Sequence, residues 1–371
     1  MNRIRVLIVD DSASARRALT EILSEDPGIN VLASAADAFD AAAKMRAELP
    51  DVILLDLELP RMDGLTFLAK IMAQRPIPVV ICSSHTEAGS QAAMKALEIG
   101  ACEVIGKPRM SSRETRMEAQ ILLTDAVRAA AHAGRMRGYT SQARAMPVAP
   151  PVPFTPSPKL TADAILPAPR KGVIMPPDLP VIVAVGASTG GTEALAQVLP
   201  KLDRSTPPVV IVQHMPEKFT AAFANRLNGL CACDVREAAN GDRPERGLVL
   251  IAPGDSHMIV KRQGKGYRVE VMRGPQVSRH RPSVDVLFRS VAIAAGAVAT
   301  GILMTGMGDD GAQGLLEMRD AGADTLIQDE ASSIVWGMPG EASRLGASDR
   351  AVPLGRISAE IQNAGRKVRR L

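Results

Sequence analysis

The sequence predicts two α/β domains joined by a proline-rich linker, and three observations support this fold class. Aliphatic runs alternate with helical patterns through both halves of the 371-residue chain, as in parallel sheets covered by helices. Aromatic residues make up only 2% of the chain, so the cores must be built from Ala, Val, Ile, Leu and Met. Eleven of the 27 prolines lie between residues 137 and 180, where the alternation stops. The expected boundaries are residues 1–136, a linker over 137–179, and residues 180–371.

The first domain is predicted to be a doubly wound (βα)5 sheet, because strand-like and helical segments alternate five times. The strand-like segments are "IRVLIVD", "INVLASA", "DVILLDLEL", "IPVVICSS" and "ACEVIGKP". The helical segments are "SARRALTEIL", "AFDAAAKMRAEL", "DGLTFLAKIMA", "SQAAMKALEIG" and "MSSRETRMEAQILLTDAVRAAAH".

The linker contains "PVAPPVPFTPSP" and "MPPDLP", and it lacks the alternation of apolar and polar positions that indicates a strand. Such a segment is typical of an extended spacer, either semi-rigid or disordered. Recognition of its prolines by a partner is the alternative interpretation.

The second domain is predicted to be a Rossmann-type α/β domain with a β-hairpin insertion around "KRQGKGYR". Its strand-like segments are "LPVIVAVGAS", "PPVVIVQH", "CDVREA", "GLVLIAP", "HMIVKR", "YRVEVM", "AVATGILMTG" and "DTLIQD". Its helical segments are "TEALAQVLPKL", "EKFTAAFANRLNGL", "SVDVLFRSVAIAAG" and "DDGAQGLLEMRDAG".

The composition argues against several function classes. A net charge of +4 is mild for this length, and the sequence has neither a helix-turn-helix signal nor an aromatic platform for bases. The basic tail Arg366–Arg370 is interpreted as a solvated end, with a DNA-binding output as the weaker alternative. Cys231 and Cys233 lack a second ligand pair at zinc-site spacing and are interpreted as structural. No apolar run has membrane-spanning length and no signal peptide is evident, so we expect a cytoplasmic protein without membrane insertion or nucleic acid.

Polar residues follow four strands of the predicted first sheet. Asp10 and Asp11 follow the first strand, Asp56 ends the third, Ser83 ends the fourth and Lys107 follows the fifth. Ligands of doubly wound sheets bind beyond the carboxyl ends of the strands, so these side chains should converge. Crowded carboxylates suit Mg²⁺, and a lysine with a hydroxyl beside them suits a phosphoryl group. The alternative for a single residue such as Asp11 is a helix cap.

The stretch "VAVGASTGGTEAL" predicts a strand, a glycine-flanked turn and a helix, with Ser188 on the turn. Such a turn exposes a hydroxyl, and the helix N-terminus behind it offers N–H groups to an oxyanion. The alternative is a phosphate-binding loop, although "GASTGG" lacks the G-x-G-x-x-G order.

A nucleophilic serine needs a base, and the base needs an acid that orients it. His214 ends the strand that follows the one before Ser188, so topology favours it over His257 and His280. For the acid, "TGMGDDG" supplies Asp309 and Asp310, one of which is expected to cap a helix while the other faces the histidine.

The first 120 residues resemble response-regulator receiver domains in the blocks "VLIVDDS", "LLDLELPRMDG" and "GKP". The resemblance implies that Asp56 is phosphorylated, that Asp10, Asp11 and Asp56 hold Mg²⁺, and that Ser83 and Lys107 form the switch pair. It also implies a histidine kinase as phosphoryl donor.

Residues 180–355 resemble the catalytic domain of chemotaxis protein-glutamate methylesterases, an α/β hydrolase-like domain, in "GASTGG", "QHMP", "IAPGDSH", "RHRPSVDVLF" and "TGMGDDGA". The resemblance implies Ser188 as nucleophile, His214 as base and Asp310 as orienting acid, with oxyanion contacts around Thr189 and Met307 and no cofactor at the esterase site. It implies demethylation of chemoreceptor glutamates and deamidation of glutamines, activated by phosphorylation of the receiver. The alternative is a receiver-controlled interaction module with a degenerate hydrolase site.

Overall fold

The computed structural model describes residues 3–83, 86–108, 113–136, 159–169 and 179–364. Most of the first 159 residues form one compact unit, and residues 160–371 belong to a second. The basic tail and the larger part of the predicted linker lie outside the described residues. Among the helices in the described ranges, none combines the length and apolarity needed to cross a membrane.

In the described part of the first unit, five parallel strands form a sheet of order β2-β1-β3-β4-β5, which confirms the predicted (βα)5 fold. The strands are β1 (Ile4–Val9), β2 (Ile29–Ala35), β3 (Val52–Leu55), β4 (Val79–Ser83) and β5 (Glu103–Gly106). The helices are α1 (Ala13–Ser24), α2 (Ala38–Ala47), α3 (Gly64–Gln74), α4 (Glu87–Ile99) and α5 (Arg113–Met136). Every residue of β3 and β4 is buried, as expected for central strands covered on both faces.

The second unit contains, within the described residues, a seven-stranded parallel sheet of order β14-β13-β12-β6-β7-β9-β8 and a two-stranded hairpin. The sheet strands are β6 (Ile182–Ala187), β7 (Val209–Gln213), β8 (Asp234–Glu237), β9 (Leu248–Ile251), β12 (Ala299–Leu303), β13 (Asp324–Gln328) and β14 (Ala351–Val352). The predicted hairpin is confirmed as the antiparallel pair β10 (His257–Gln263) and β11 (Gly266–Met272).

Six helices cover this sheet in the described residues: α6 (Gly191–Val198), α7 (Phe219–Asn228), α8 (Val284–Ala295), α9 (Ala312–Asp320), α10 (Met338–Arg344) and α11 (Leu354–Asn363). Helix α8 is buried on nearly all sides, and within it Ile293 is exposed. The elements α10, β14 and α11 are absent from the predicted segments, the last of which is "DTLIQD".

The structure differs from the predicted boundary between the linker and the second domain. Residues 160–169 belong to the second unit, which therefore begins at Leu160 instead of residue 180. The short 3-10 turn Ala162–Ala164 packs its buried Ala162 against Ile259, Val277 and Val286. The spacer interpretation fails for this stretch because "LTADAIL" carries apolar side chains that the surrounding prolines obscure. Residues 137–158 and 170–178 lie outside the described residues.

Candidate functional site

The structure brings the predicted acidic residues of the first unit together. Asp10, Asp11 and Asp56 each offer a carboxylate oxygen, and these atoms lie within 4.8 Å of one another. Asp10 and Asp56 are each 1% exposed, whereas Asp11 is exposed. The cap of α1 is Ser12, whose hydroxyl accepts from the Ala15 N–H, so the helix-cap alternative for Asp11 is wrong.

Lys107 partly balances the buried carboxylates. Its Nζ lies 2.6 Å from Asp56 Oδ2, in a hydrogen bond, and 2.9 Å from Asp10 Oδ2, as an ion pair without hydrogen-bond alignment. Burial raises the pKa of Asp56 above its usual value, although the hydrogen bond from Lys107 opposes this. Ser83 lies at the end of β4, and its buried hydroxyl has no hydrogen-bond partner among the described residues. The cluster therefore has more negative charge than its lysine neutralises, beside an unused hydroxyl.

Ser188 lies directly after β6, on the predicted bend. Its N–H donates to the Thr305 carbonyl at 3.0 Å, and its carbonyl accepts from the Gly191 N–H at 2.7 Å. Gly190 has φ of +77°, a left-handed conformation that glycine adopts without strain. A side chain at Gly306 would come within 2.8 Å of Ser188 Cβ, so that glycine leaves room for the serine. The local sequence thus places a 7% exposed serine on a tight turn at the sheet edge.

Three neighbouring strands, β12, β6 and β7, bring Asp310, Ser188 and His214 to one edge of the sheet. His214 follows β7, and its N–H donates to the Ala187 carbonyl at 3.1 Å. His214 Nε2 lies 2.8 Å from Asp310 Oδ2, a hydrogen bond that assigns the ring proton to Nε2. Nδ1, on the other side of the ring, is buried and has no hydrogen-bond partner in the described part of the chain.

The Asp310 carboxylate is completely buried and accepts four hydrogen bonds. Oδ2 accepts from His214 and from the Val284 N–H at 2.8 Å. Oδ1 accepts from the Ser283 hydroxyl at 2.8 Å and from the Asp285 N–H at 3.0 Å. Two of these donors are the first N–H groups of α8, where the helix dipole favours a negative charge.

These contacts determine the charge state of Asp310. Burial alone would raise the pKa of this carboxyl, but the hydrogen bond from His214 and the nearby histidines hold the pKa well below its ordinary value. The neighbouring Asp309 is exposed, and α9 is capped by Gly311. Of the two aspartates that the sequence left open, Asp310 is therefore the one that faces the histidine.

The other two candidate histidines have different surroundings. His257 is fully buried, its Nδ1 accepts from the Ser283 N–H at 3.3 Å, and its Nε2 lies 2.9 Å from the Pro275 carbonyl. Burial lowers the pKa of His257, and both of its ring nitrogens are engaged in hydrogen bonds. His280 stacks on His214, with ring centroids 3.7 Å apart and ring planes 6° apart.

His214, His280 and Asp310 are close enough to be considered as metal ligands, with ligand atoms within 4.8 Å. Two features oppose this use. The Asp310 oxygens already accept four hydrogen bonds, and the lone pairs of two parallel stacked rings do not point to a common position. The expected lack of a cofactor at this site stays a prediction.

Thr305 and Gln213 support the Ser188 turn, and the sequence analysis did not identify them. The buried Thr305 hydroxyl donates to the Thr189 carbonyl at 3.0 Å and accepts from the Val335 N–H at 2.9 Å. Gln213 Nε2 donates to the Ser188 carbonyl at 2.9 Å. Met307, the second expected oxyanion residue, follows Thr305 by two positions and is therefore on the segment that Thr305 ties to Thr189. Both support residues are polar and lie in or beside buried strands, which is the signal that could have identified them.

This arrangement agrees with comparisons to known proteins. The model of the CheB methylesterase family matches residues 183–361, and that of the response regulator receiver domain matches residues 6–117. The protein-glutamate methylesterase/protein-glutamine glutaminase 2 of Rhodospirillum rubrum is 56% identical over 366 residues, which are 98% of this chain and 99% of the relative. The chain belongs to the CheB methylesterase family. Its N-terminal unit is a receiver domain.

Two further proteins are similar to the whole chain or to its second unit. The protein-glutamate methylesterase/protein-glutamine glutaminase 2 of Rhizobium johnstonii is 55% identical over 361 residues, which are 97% of this chain and 97% of the relative. The solved catalytic domain of the Thermotoga maritima CheB methylesterase is 32% identical, with a TM-score of 0.48, and covers 50% of this chain and 98% of its own. The family resemblance inferred from the motifs is confirmed for both units.

Proposed function

We propose that the second unit is a serine hydrolase that cleaves glutamate methyl esters of chemoreceptors and deamidates receptor glutamines, under control of the receiver domain. The observation that carries this proposal is the His214–Asp310 hydrogen bond of 2.8 Å, which leaves the buried Nδ1 of His214 without a hydrogen-bond partner among the described residues. The His214 backbone N–H donates to the carbonyl of Ala187, the residue before Ser188. The names of the curated relatives support the substrate class.

In the acylation step, Ser188 Oγ attacks the carbonyl carbon of the glutamyl methyl ester and gives its proton to His214 Nδ1. Asp310 keeps the proton of Nε2 in place and stabilises the imidazolium that forms. His214 Nδ1 has no hydrogen-bond partner within the described ranges, and in enzymes of this type the bond between base and nucleophile often tightens in the substrate complex. Backbone N–H groups at Thr189 and Met307 are proposed to bind the oxyanion.

The proton then moves from Nδ1 to the leaving oxygen, and methanol departs from the acyl-enzyme. In the second step a water gives its proton to Nδ1 and attacks the acyl carbon, which frees the glutamate carboxyl group and returns the proton to Ser188. With a glutamine side chain the same steps release ammonia. His214 acts as base and acid in both halves of the reaction.

In the receiver domain, Asp56 is proposed to accept a phosphoryl group from a histidine kinase. Receiver domains typically need Mg²⁺ for this reaction, and the oxygen ligands of Asp10, Asp11 and Asp56 suit that ion. Mg²⁺, when bound, supplies positive charge to offset the crowded carboxylates and the phosphoryl oxygens. Lys107 and Ser83, whose hydroxyl has no hydrogen-bond partner among the described residues, are proposed to hold the phosphoryl group as the switch pair. Phosphorylation is proposed to increase hydrolysis by the second unit.

Release of methanol distinguishes a hydrolase from an interaction module with a degenerate hydrolase site. Membranes that carry methylated chemoreceptors should release methanol with the wild-type protein, and more of it when an acyl phosphate and Mg²⁺ are added. Ser188→Ala should abolish the release, whereas Ser205→Ala, at an exposed serine of the same unit, should not change it. Equal methanol release by Ser188→Ala would overturn the hydrolase proposal. A cytoplasmic location and the lack of nucleic-acid binding stay predictions.

A further inference from the structure

Residues Leu160–Leu166, here named the strap, belong to the second unit although they lie within the predicted linker. Their 3-10 turn buries Ala162 with Ile259, Val277 and Val286, and the half-buried Ile165 and Leu166 pack against the same cluster. The strap therefore contacts the base of the hairpin and the first turn of α8, which are the elements next to the Asp310 site.

A buried arginine ties the strap to two helices. Arg289 of α8 is 4% exposed, and its guanidinium forms a two-point ion pair with Glu317 of α9 at 2.8 and 2.5 Å. The same guanidinium donates to Asp163 at 2.6 Å and to the Leu166 carbonyl at 2.9 Å. Helix α8 supplies two N–H donors to Asp310, and α9 begins two residues after Asp310. The strap therefore contacts, through Arg289, the two helices that lie next to Asp310.

The strap also holds the turn that carries His280. The Ser278 N–H donates to the Leu160 carbonyl at 2.9 Å, and the Ser278 hydroxyl donates to Asp285 of α8 at 2.8 Å. Ser278 and Arg279 have φ of 50° and 67°, left-handed conformations that non-glycine residues adopt only when neighbouring contacts maintain them. The turn closes with the Val277–His280 bridge, and His280 Nδ1 lies 2.8 Å from the Ser278 carbonyl.

We propose that the strap is a positioning element of the active site. By holding the Ser278–Arg279 turn from one side while Asp285 holds it from the other, the strap keeps the His280 ring stacked on His214. The stack covers one face of the base and restricts its rotation about the Asp310 hydrogen bond. This inference rests on the proposed hydrolase function, because it assigns the strap's effect to the orientation of His214.

The test replaces residues 160–166, "LTADAIL", by a seven-residue Gly-Ser sequence in the full-length protein. The matched control makes the same replacement at residues 151–157, a segment of equal length outside the described residues. We expect kcat for methanol release to fall about tenfold in the strap variant with little change in KM, since misplacing a catalytic group weakens transition-state binding. The control should keep the wild-type kcat.

Hydrogen exchange gives a readout that does not depend on substrate. The Ser278 amide should exchange at least about tenfold faster in the strap variant than in wild type, while the amides of β6 and β7 keep their protection. Loss of protection throughout the sheet would show a merely structural role and would overturn the proposal. If the wild-type protein releases no methanol, the proposed function fails, and the hydrogen-exchange result then decides only whether the strap holds the Ser278–Arg279 turn.

A point variant tests the same proposal with less disturbance. Asp163→Ala removes one strap contact to Arg289 and should lower kcat about twofold to fivefold. The control is Asp349→Ala. Asp349 is also an exposed aspartate that pairs with an arginine, in this case Arg319 of α9, and its removal should leave kcat unchanged. Wild-type kcat and wild-type exchange at Ser278 in both the strap replacement and Asp163→Ala would overturn the proposal.

Discussion

The receiver domain and the hydrolase unit each place buried aspartates at the carboxyl edge of a parallel sheet, but the two sites treat their charge in opposite ways. In the receiver, three carboxylates crowd together and one lysine contacts two of them. In the hydrolase unit, the Asp310 carboxylate accepts four hydrogen bonds, two of them from the start of α8. Burial raises the pKa of Asp56, whereas the contacts of Asp310 lower its pKa despite complete burial.

Buried aspartates at the carboxyl edges of two parallel sheets therefore have opposite electrostatic surroundings. Asp56 lies in a site that is incompletely neutralised, so an incoming cation relieves an existing electrostatic cost. Asp310 already accepts four hydrogen bonds, and in the proposed mechanism its carboxylate orients His214. In the proposed mechanism, Asp56 is phosphorylated during function, whereas Asp310 stays an unmodified carboxylate.

The largest expected effects come from the hydrolase site. Ser188→Ala, His214→Ala and Asp310→Asn should each lower the rate of methanol release by about 10⁴-fold or more, because each removes one member of a unit that acts together. The double variants should be no slower than the slowest single variant. Substantial activity in His214→Ala together with its loss in His257→Ala would show that the wrong histidine was chosen.

Asp56→Asn should prevent phosphorylation of the protein by an acyl phosphate, because the amide offers no nucleophilic oxygen. The incorporated phosphate should fall at least about 100-fold, to the background level. Labelling of the wild type should also require Mg²⁺, since the three carboxylates need a cation. The measurement is incorporation of radioactive phosphate that alkali or hydroxylamine removes, as expected for an acyl phosphate. Label that persists in Asp56→Asn would place the phosphorylation site on another residue.

Ser283→Ala sharpens the account of Asp310 by removing one of its four donors. The effect on kcat should be about tenfold, smaller than that of Asp310→Asn, because the two α8 N–H groups and His214 remain. Ser290→Ala on the same helix is the control, since its hydroxyl contacts Leu287 and Val260 and lies outside the Asp310 network. A drop as large as that of Asp310→Asn would mean that Ser283 has a direct part in the chemistry.

The smallest effects are opposite changes in stability. A lowered folded-state pKa contributes stability above the unfolded value of about 4 and loses it as pH falls through the folded value, so Asp310→Asn should destabilise the second unit at pH 7. A raised folded-state pKa contributes stability only below that pKa, so Asp56→Asn should stabilise the receiver at pH 7. Each shift should be about 5 °C in the unfolding midpoint.

Trp336, the single tryptophan of the chain, lies in the second unit, so its fluorescence follows that unit while calorimetry follows both. Unfolding midpoints that shift in the same direction in Asp310→Asn and Asp56→Asn would contradict the contrast between the two sites.

The sequence was sufficient to predict the strand-end residues, because parallel topology brings the ends of neighbouring strands to one edge. This argument identified Asp56, Lys107, Ser188 and His214, and the family resemblance separated Asp310 from Asp309. It could not identify the supporting contacts. The stack of His280 on His214 depends on a turn with two left-handed non-glycine residues, a conformation that no sequence pattern indicates.

The strap was missed for a related reason. Its few apolar residues lie within a proline-rich stretch, and their partners are on the hairpin and α8, about 100 residues or more further along the chain. Short elements whose burial depends on distant partners leave little periodic signal in the sequence.

The contrast between the two sites is tested most directly by the charge of each carboxyl group as pH changes. Carbon-13 resonances of the aspartate carboxyl groups, assigned with Asp56→Asn and Asp310→Asn, would report both sites in one titration of the full-length protein. We predict that the Asp56 resonance titrates above the ordinary range for aspartate, whereas the Asp310 resonance stays that of a carboxylate to the lowest pH at which the second unit is folded. An Asp310 resonance that titrates at or above the pH of Asp56 would contradict the account.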